Sequence, residues 1–257
     1  MRKGLTEIVL VLDRSGSMES IKSDAQVGMR AFVDEQRKAP GEGRLTFYRF
    51  DDIIERVFED RDIRWIEDYE LKLEPRGSTA LLDAIGRAIN EVGARLANRR
   101  EEDRPEHVVF VTVTDGHENA SKEFVAKKND APAYRHDLKM APWIIPDYRS
   151  DSRPAIFDMI NKQESVYSWK FIFIGSTQES VLMASKLGYS PALTLSNLAT
   201  GQSYTTTYAV LSSNVGSLRK GMGVQSLNFD SVQRAKVLED DDKTNTPPTT
   251  SSGGTVA

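Results

Sequence analysis

Three short stretches of the chain carry oxygen donors at close spacing. The first is Asp13-Arg14-Ser15-Gly16-Ser17, where a carboxylate and two hydroxyls alternate directly behind the apolar run Ile8 to Leu12. The second is Gly77-Ser78-Thr79-Ala80-Leu81-Leu82-Asp83, and the third is Thr112-Val113-Thr114-Asp115-Gly116. A carboxylate mixed with neutral hydroxyls makes a sensible partial shell for a hard cation. A turn through Gly16 would let the alternate side chains of the first stretch converge. Taken singly, two of the stretches have plainer readings. Ser78 or Thr79 suits the N-cap of the helix that follows, and Asp115 suits a turn ahead of Gly116.

What decides between these readings is where the chain places the stretches. Ile8 to Leu12, Val108 to Val113 and Phe171 to Ile174 are short, nearly unbroken apolar runs rich in β-branched and aromatic residues. Such runs are expected of central strands buried on both faces of a parallel sheet. Between them, Met18, Ile21, Ala25, Met29, Phe32 and Val33 recur at helical spacing, as do Leu81, Ile85, Ala88, Val92 and Leu96. A third helix is expected from about Gln178 to Leu187, stopping at Gly188. A last one is expected from Tyr204 to Leu218, with Arg219 and Lys220 at its carboxyl end, where positive charge is favourable. Arg44 to Phe50 and Ile53 to Phe58 read as a hairpin joined at Asp51-Asp52, which puts one antiparallel edge strand on the sheet. The fold class is therefore α/β, with helices on both faces. In such sheets ligands bind outside the carboxyl ends of the strands, where strand order reverses. Two aspartates and three hydroxyl side chains are expected to meet there.

Asp13-x-Ser15-x-Ser17, then Gly77-x-Thr79 with Leu82-Asp83-Ala84-Ile85, then Thr114-Asp115-Gly116, resembles the metal-ion-dependent adhesion site of a von Willebrand factor A domain. The resemblance runs from about Leu5 to Leu187 and extends toward the helix near Val210. It implies a Rossmann-like sheet with one Mg²⁺ at its top, Mn²⁺ or Ca²⁺ being the other candidate ions. Ser15, Ser17 and Thr79 would then supply oxygens directly or nearly so, and Asp13 and Asp115 directly or through water. Neutral hydroxyls leave much of the ion's charge unneutralised, so a carboxylate of a partner protein can replace a water. Intracellular relatives serve as partners of AAA+ ATPases or as scaffolds, which makes an ATPase or a larger assembly the implied kind of partner.

Within this frame residues 1–220 form the domain, 221–238 a carboxyl-terminal extension and 239–257 an acidic, then Thr/Pro/Ser/Gly-rich tail expected to be disordered. From Ser121 to Arg153 the periodicity dissolves, and the stretch reads as an insertion relative to the family. Starting right behind the metal loop, it is expected to shape the binding surface; the site is either open or occupied by a residue of this stretch, for instance Asp130, Asp137 or Asp147. His117, Glu118 and Asn119 read as a solvated loop, with His117 or Glu118 as additional metal ligands in the alternative.

Composition removes other classes. The absence of cysteine among 257 residues excludes disulfides, thiolate zinc sites, Fe–S clusters and a cysteine nucleophile. A net charge of −4 argues against a dedicated nucleic-acid binder. The apolar run behind Met1-Arg2-Lys3-Gly4 is too short for a signal peptide, and no stretch has the length of a membrane span, so a cytoplasmic protein is expected. Association with a phage or virion is compatible with the same features. The catalytic alternative is a Mg²⁺-dependent phosphoryl-transfer or hydrolytic enzyme with Asp13 as nucleophile. Against it, Ser15 stands where a dehalogenase-like phosphatase needs a second aspartate, and Gly221-Met222-Gly223 lacks the ending of a P-loop. The expectation is thus a non-enzymatic Mg²⁺-dependent protein-binding module, with the enzyme or a purely structural assembly component as alternatives.

Overall fold

In the computed structural model, which describes residues 1–115, 118–124 and 155–239, the apolar run from Ile8 lies inside a longer strand, β1 (Arg2–Asp13). The other strands are β2 (Glu42–Phe50), β3 (Ile54–Asp62), β4 (Pro105–Thr114), β5 (Lys170–Gly175) and β6 (Thr194–Ser196). They form one sheet in the order β3-β2-β1-β4-β5-β6. All neighbours pair in parallel except β2 and β3, the antiparallel edge hairpin.

The period of two along β1 divides the interior into two cores. Ile8, Leu10 and Leu12 face one side, packed with Met29 and Phe32 of α1 (Lys22–Lys38), Leu211 and Val215 of α5 (Gly201–Arg219), and Val237 of α6 (Ser231–Leu238). Val9 and Val11 face the other, against Leu81, Ile85 and Val92 of α2 (Leu81–Ala97) and Ile156 and Ile160 of α3 (Ala155–Tyr167). Leu187, which closes α4 (Gln178–Lys186), joins the second core. With both faces covered, the central strands have no polar side to show, which is why they read as unbroken apolar runs.

Several expectations need correction. The segment from Met18 begins as a tight 3-10 turn, Gly16–Ile21, and only then continues as α1. The helix expected from Tyr204 to Leu218 is present as α5 but is not the last one, since α6 follows. The carboxyl-terminal extension, residues 221–238, packs on the domain: Leu227 and Val237 are buried in the first core, and the Ser203 hydroxyl donates to the Val237 carbonyl at 2.6 Å. Arg219 does more than complement its own helix, because its guanidinium reaches the backbone carbonyls of Gln36 and Gly41 at the end of α1. The expectations placed on Gly116, His117, Asp130, Asp137, Asp147 and the tail beyond residue 239 fall outside the described residues. Among the described residues no helix is long and apolar enough to cross a membrane.

Strand β1 lies between β2 and β4, so the strand order reverses beside it. The carboxyl ends of β1 and β4 run side by side, with Leu12 opposite Val113. The first and third donor stretches leave the sheet there.

Candidate metal centre

Asp13 is the last residue of β1 and is fully buried. Its Oδ1 accepts from the Ser15 backbone N–H at 2.6 Å, and its Oδ2 accepts from the hydroxyl of Thr114, the last residue of β4, at 2.5 Å. A carboxylate bonding the backbone two residues on folds the chain back on itself, so the side chains behind it turn toward one point. Ser15 Oγ lies 3.1 Å from Ser17 Oγ, and Ser17 Oγ donates to Asp115 Oδ1 at 2.8 Å. Asp13, Ser15, Ser17 and Asp115 thus form one connected chain of contacts across the ends of β1 and β4. The convergence does not come from a special backbone at Gly16, whose φ is not positive. The positive φ lies instead in the second stretch, at Gly77 (+64°), where a Cβ would come within 2.1 Å of Asp52 Oδ1.

Thr79 lies on a stretch that, among the described residues, only backbone bonds tie to the first one. Gly16 N–H donates to the Gly77 carbonyl at 3.2 Å and Arg76 N–H donates to the Arg14 carbonyl at 2.8 Å, tying the second stretch to the first. Thr79 is buried, and no hydrogen bond joins its hydroxyl to the other four residues among those described. Neither Ser78 nor Thr79 caps α2; the N-cap position is Ala80, without a side-chain bond. The free N–H groups of α2 are met from a distant loop instead. Leu82 N–H donates to Glu118 Oε2 at 2.9 Å and Asp83 N–H to Ser121 Oγ at 3.1 Å. The buried Asp83 carboxylate returns the arrangement, accepting from the N–H groups of Lys122, Glu123 and Phe124 at 2.7, 2.9 and 2.9 Å. Asn119 clamps Thr79 itself: its Oδ1 accepts from Thr79 N–H at 2.8 Å, and its N–H donates to the Thr79 carbonyl at 3.0 Å.

Sequence reasoning missed this clamp. From the sequence, Glu118 reads as a solvated loop residue or, in the alternative, a metal ligand. Its carboxylate is instead engaged by Leu82, Ala120 and Ser121. The signal lay in the pairing of Asp83, noted as part of a motif without a role, with the polar residues just behind Asp115.

Electrostatics favour a cation. Burial pushes the Asp13 carboxyl up to about 6, outweighing the hydrogen bonds from Thr114 and Ser15 that favour its charged form, with nearby Asp115 adding to the rise. Burial raises Asp115 too, against the hydroxyl of Ser17. The buried Asp13 and the half-buried Asp115 are therefore both left short of positive charge by the described residues. No group of three or more His, Cys, Asp or Glu placed to hold a metal occurs among the described residues. The four residues brought together offer two carboxylates and two hydroxyls, with the Thr79 hydroxyl as a further candidate; all are hard oxygens, which fits a divalent ion that retains waters and does not fit a soft or imidazole-seeking metal.

No model of a known protein family matches the chain, and no curated protein matches it. Solved structures do resemble it. The PilB minor pilin from Streptococcus sanguinis superposes with a TM-score of 0.54 at 11% identity, over 87% of this chain and 62% of the pilin. Proximal thread matrix protein 1 from the mussel byssus gives 0.52 at 14% identity, over 84% of this chain and 46% of that one. The von Willebrand factor domain of the type V pili tip protein from Porphyromonas gingivalis gives 0.50 at 11% identity, over 88% of this chain and 97% of that domain. The chain thus spans less than two thirds of the pilin and byssal proteins and nearly all of the isolated domain. Identities this low speak for fold alone: this chain has the Rossmann-like fold of a von Willebrand factor A domain, with a six-stranded sheet and helices on both sides.

Proposed function

We propose that the chain is a protein-binding module in which a divalent cation, Mg²⁺ in the first place, receives a carboxylate from a partner protein. Asp13, Ser15, Ser17, Thr79 and Asp115 would hold the ion. The observation that carries this reading is the continuous contact chain from Asp13 through Ser15 and Ser17 to Asp115, built on one buried and one half-buried carboxylate without a compensating cation among the described residues. A bound ion would supply positive charge at the top of the sheet. Hydroxyl ligands withdraw little of that charge, so it stays available to an incoming carboxylate.

The burial gradient supports a receptor. Asp13 lies beneath the surface while Gly16 and Ser17 are exposed, so the open side of the site faces solvent. Both Asp13 oxygens accept hydrogen bonds and the residue has no accessible surface. That pose suits an anchor for the loop better than a nucleophile, and the reading is accordingly non-enzymatic. An acidic subunit of a larger assembly, an AAA+ ATPase among them, is the class of partner to test. The experiment is a pull-down with wild type and Asp13→Ala, each in Mg²⁺ and in EDTA. A partner retained only by wild type with Mg²⁺ is the expected result; retention indifferent to both metal and substitution would contradict the reading.

A further inference from the structure

We infer that the metal site is one half of a two-point receptor whose other half is Arg76, so that the partner presents two acidic side chains, one to the cation and one to the Arg76 guanidinium. This inference rests on the proposed metal site. Arg76 belongs to the rim of that site by its backbone: its N–H bonds the Arg14 carbonyl, and the carbonyl of the next residue, Gly77, accepts from Gly16. Its side chain is 56% exposed and held at a single nitrogen, Nε, which donates to Asp51 Oδ2 at 2.7 Å. Other exposed arginines spend terminal nitrogens on neighbouring acids, as Arg56 Nη1 does on Glu59 and Glu91, and Arg64 Nη2 on Asp62. Arg76 has both terminal nitrogens without a partner among the described residues, and that end-on pair matches the two oxygens of a carboxylate.

The anchor under Arg76 is rigid. Asp51 is fully buried, and its Oδ2 also accepts from the buried Arg14 Nε at 3.0 Å. Its Oδ1 accepts from Ile53 N–H at 2.6 Å, and its backbone carbonyl accepts from Ala80 N–H at 2.9 Å. One carboxylate therefore joins the metal loop, the β2–β3 turn and the approach to α2. A guanidinium fixed in advance loses less freedom on binding than a free one. Ile53, 55% exposed, lies on the same turn as Asp51 and adds apolar surface there. Asp52 is exposed there too, with Oδ1 against Gly77, so the rim carries both signs of charge. A general field from such a rim gives a lone acidic group little; the gain comes from direct contact with the free fork.

The test uses the full chain, labelled with ¹⁵N and titrated by NMR with synthetic Gly/Ser peptides carrying one aspartate, or two at varied separations, in Mg²⁺ and in EDTA. At least one two-aspartate peptide is expected to bind wild type about five-fold more tightly than the single-aspartate peptide. In Arg76→Gln that preference vanishes while the affinities for Mg²⁺ and for the single-aspartate peptide are unchanged; Arg76→Lys, which keeps the charge without the fork, recovers only part of it. A preference that survives Arg76→Gln, or one- and two-aspartate peptides that bind wild type equally or not at all while Mg²⁺ binds, would overturn the inference. Failure of wild type to bind Mg²⁺, or peptide binding indifferent to EDTA, would instead overturn the metal reading beneath it.

Discussion

A carboxylate withdrawn from water keeps its proton to higher pH, and Asp13 does so, at about 6 against 3.8 for the free group. Between those values the folded chain holds more proton than the unfolded one, so without a divalent ion stability falls as pH rises through that window. Asp13→Asn removes the penalty. In EDTA at neutral pH the variant is expected to be more stable than wild type by about 1–3 kcal/mol in denaturant unfolding, the two converging near about pH 4. Mg²⁺ should stabilise wild type above that window and leave the variant unchanged. A variant less stable than wild type in EDTA would show that the protein already compensates the charge. The convergence of Asp13, Ser15, Ser17 and Asp115 was legible because their types and spacings sit behind apolar strands. Glu118 and Asn119 were not, because a cap supplied from a distant loop leaves no local pattern; the hydroxyls of Ser78 and Thr79 stood where a cap is usually sought.

Two elements share the work of positioning Thr79: the start of α2 and the loop behind β4, each bonding the other's backbone. Asn119→Ala is expected to leave Thr79 N–H unpaired, lower stability by about 1–3 kcal/mol and weaken Mg²⁺ binding about ten-fold. Calorimetric titration beside thermal unfolding measures both, and an unchanged Mg²⁺ affinity would mean that the clamp serves the helix alone. The central strands could be read from their apolar runs, but the start of β1 could not. Glu7 precedes the run, yet it is fully buried, accepting from Thr46 Oγ1 at 2.6 Å and from Arg95 Nη2 at 2.6 Å. A charge neutralised by a residue 88 positions away is invisible to a local pattern. The three residues of β6 and the eight of α6 are too few for periodicity to register.

On the scale of the whole molecule, the sheet separates two cores while the candidate site rests on its upper edge, so the fold and the site can be perturbed independently. Val237→Ala, far along the chain in α6 but with no exposed surface, is expected to cost about 1–3 kcal/mol of stability with Mg²⁺ affinity unchanged. Wild-type stability in that variant would show that the packing of α6 contributes nothing to the fold. The central claim is that the five oxygen donors hold one divalent cation, and calorimetric titration of the full chain with Mg²⁺ tests it most directly. The account predicts one ion per chain for wild type and none for Asp13→Ala or Ser17→Ala, with the circular dichroism of all three alike. Absence of binding by wild type, or binding that persists in both variants, would contradict it.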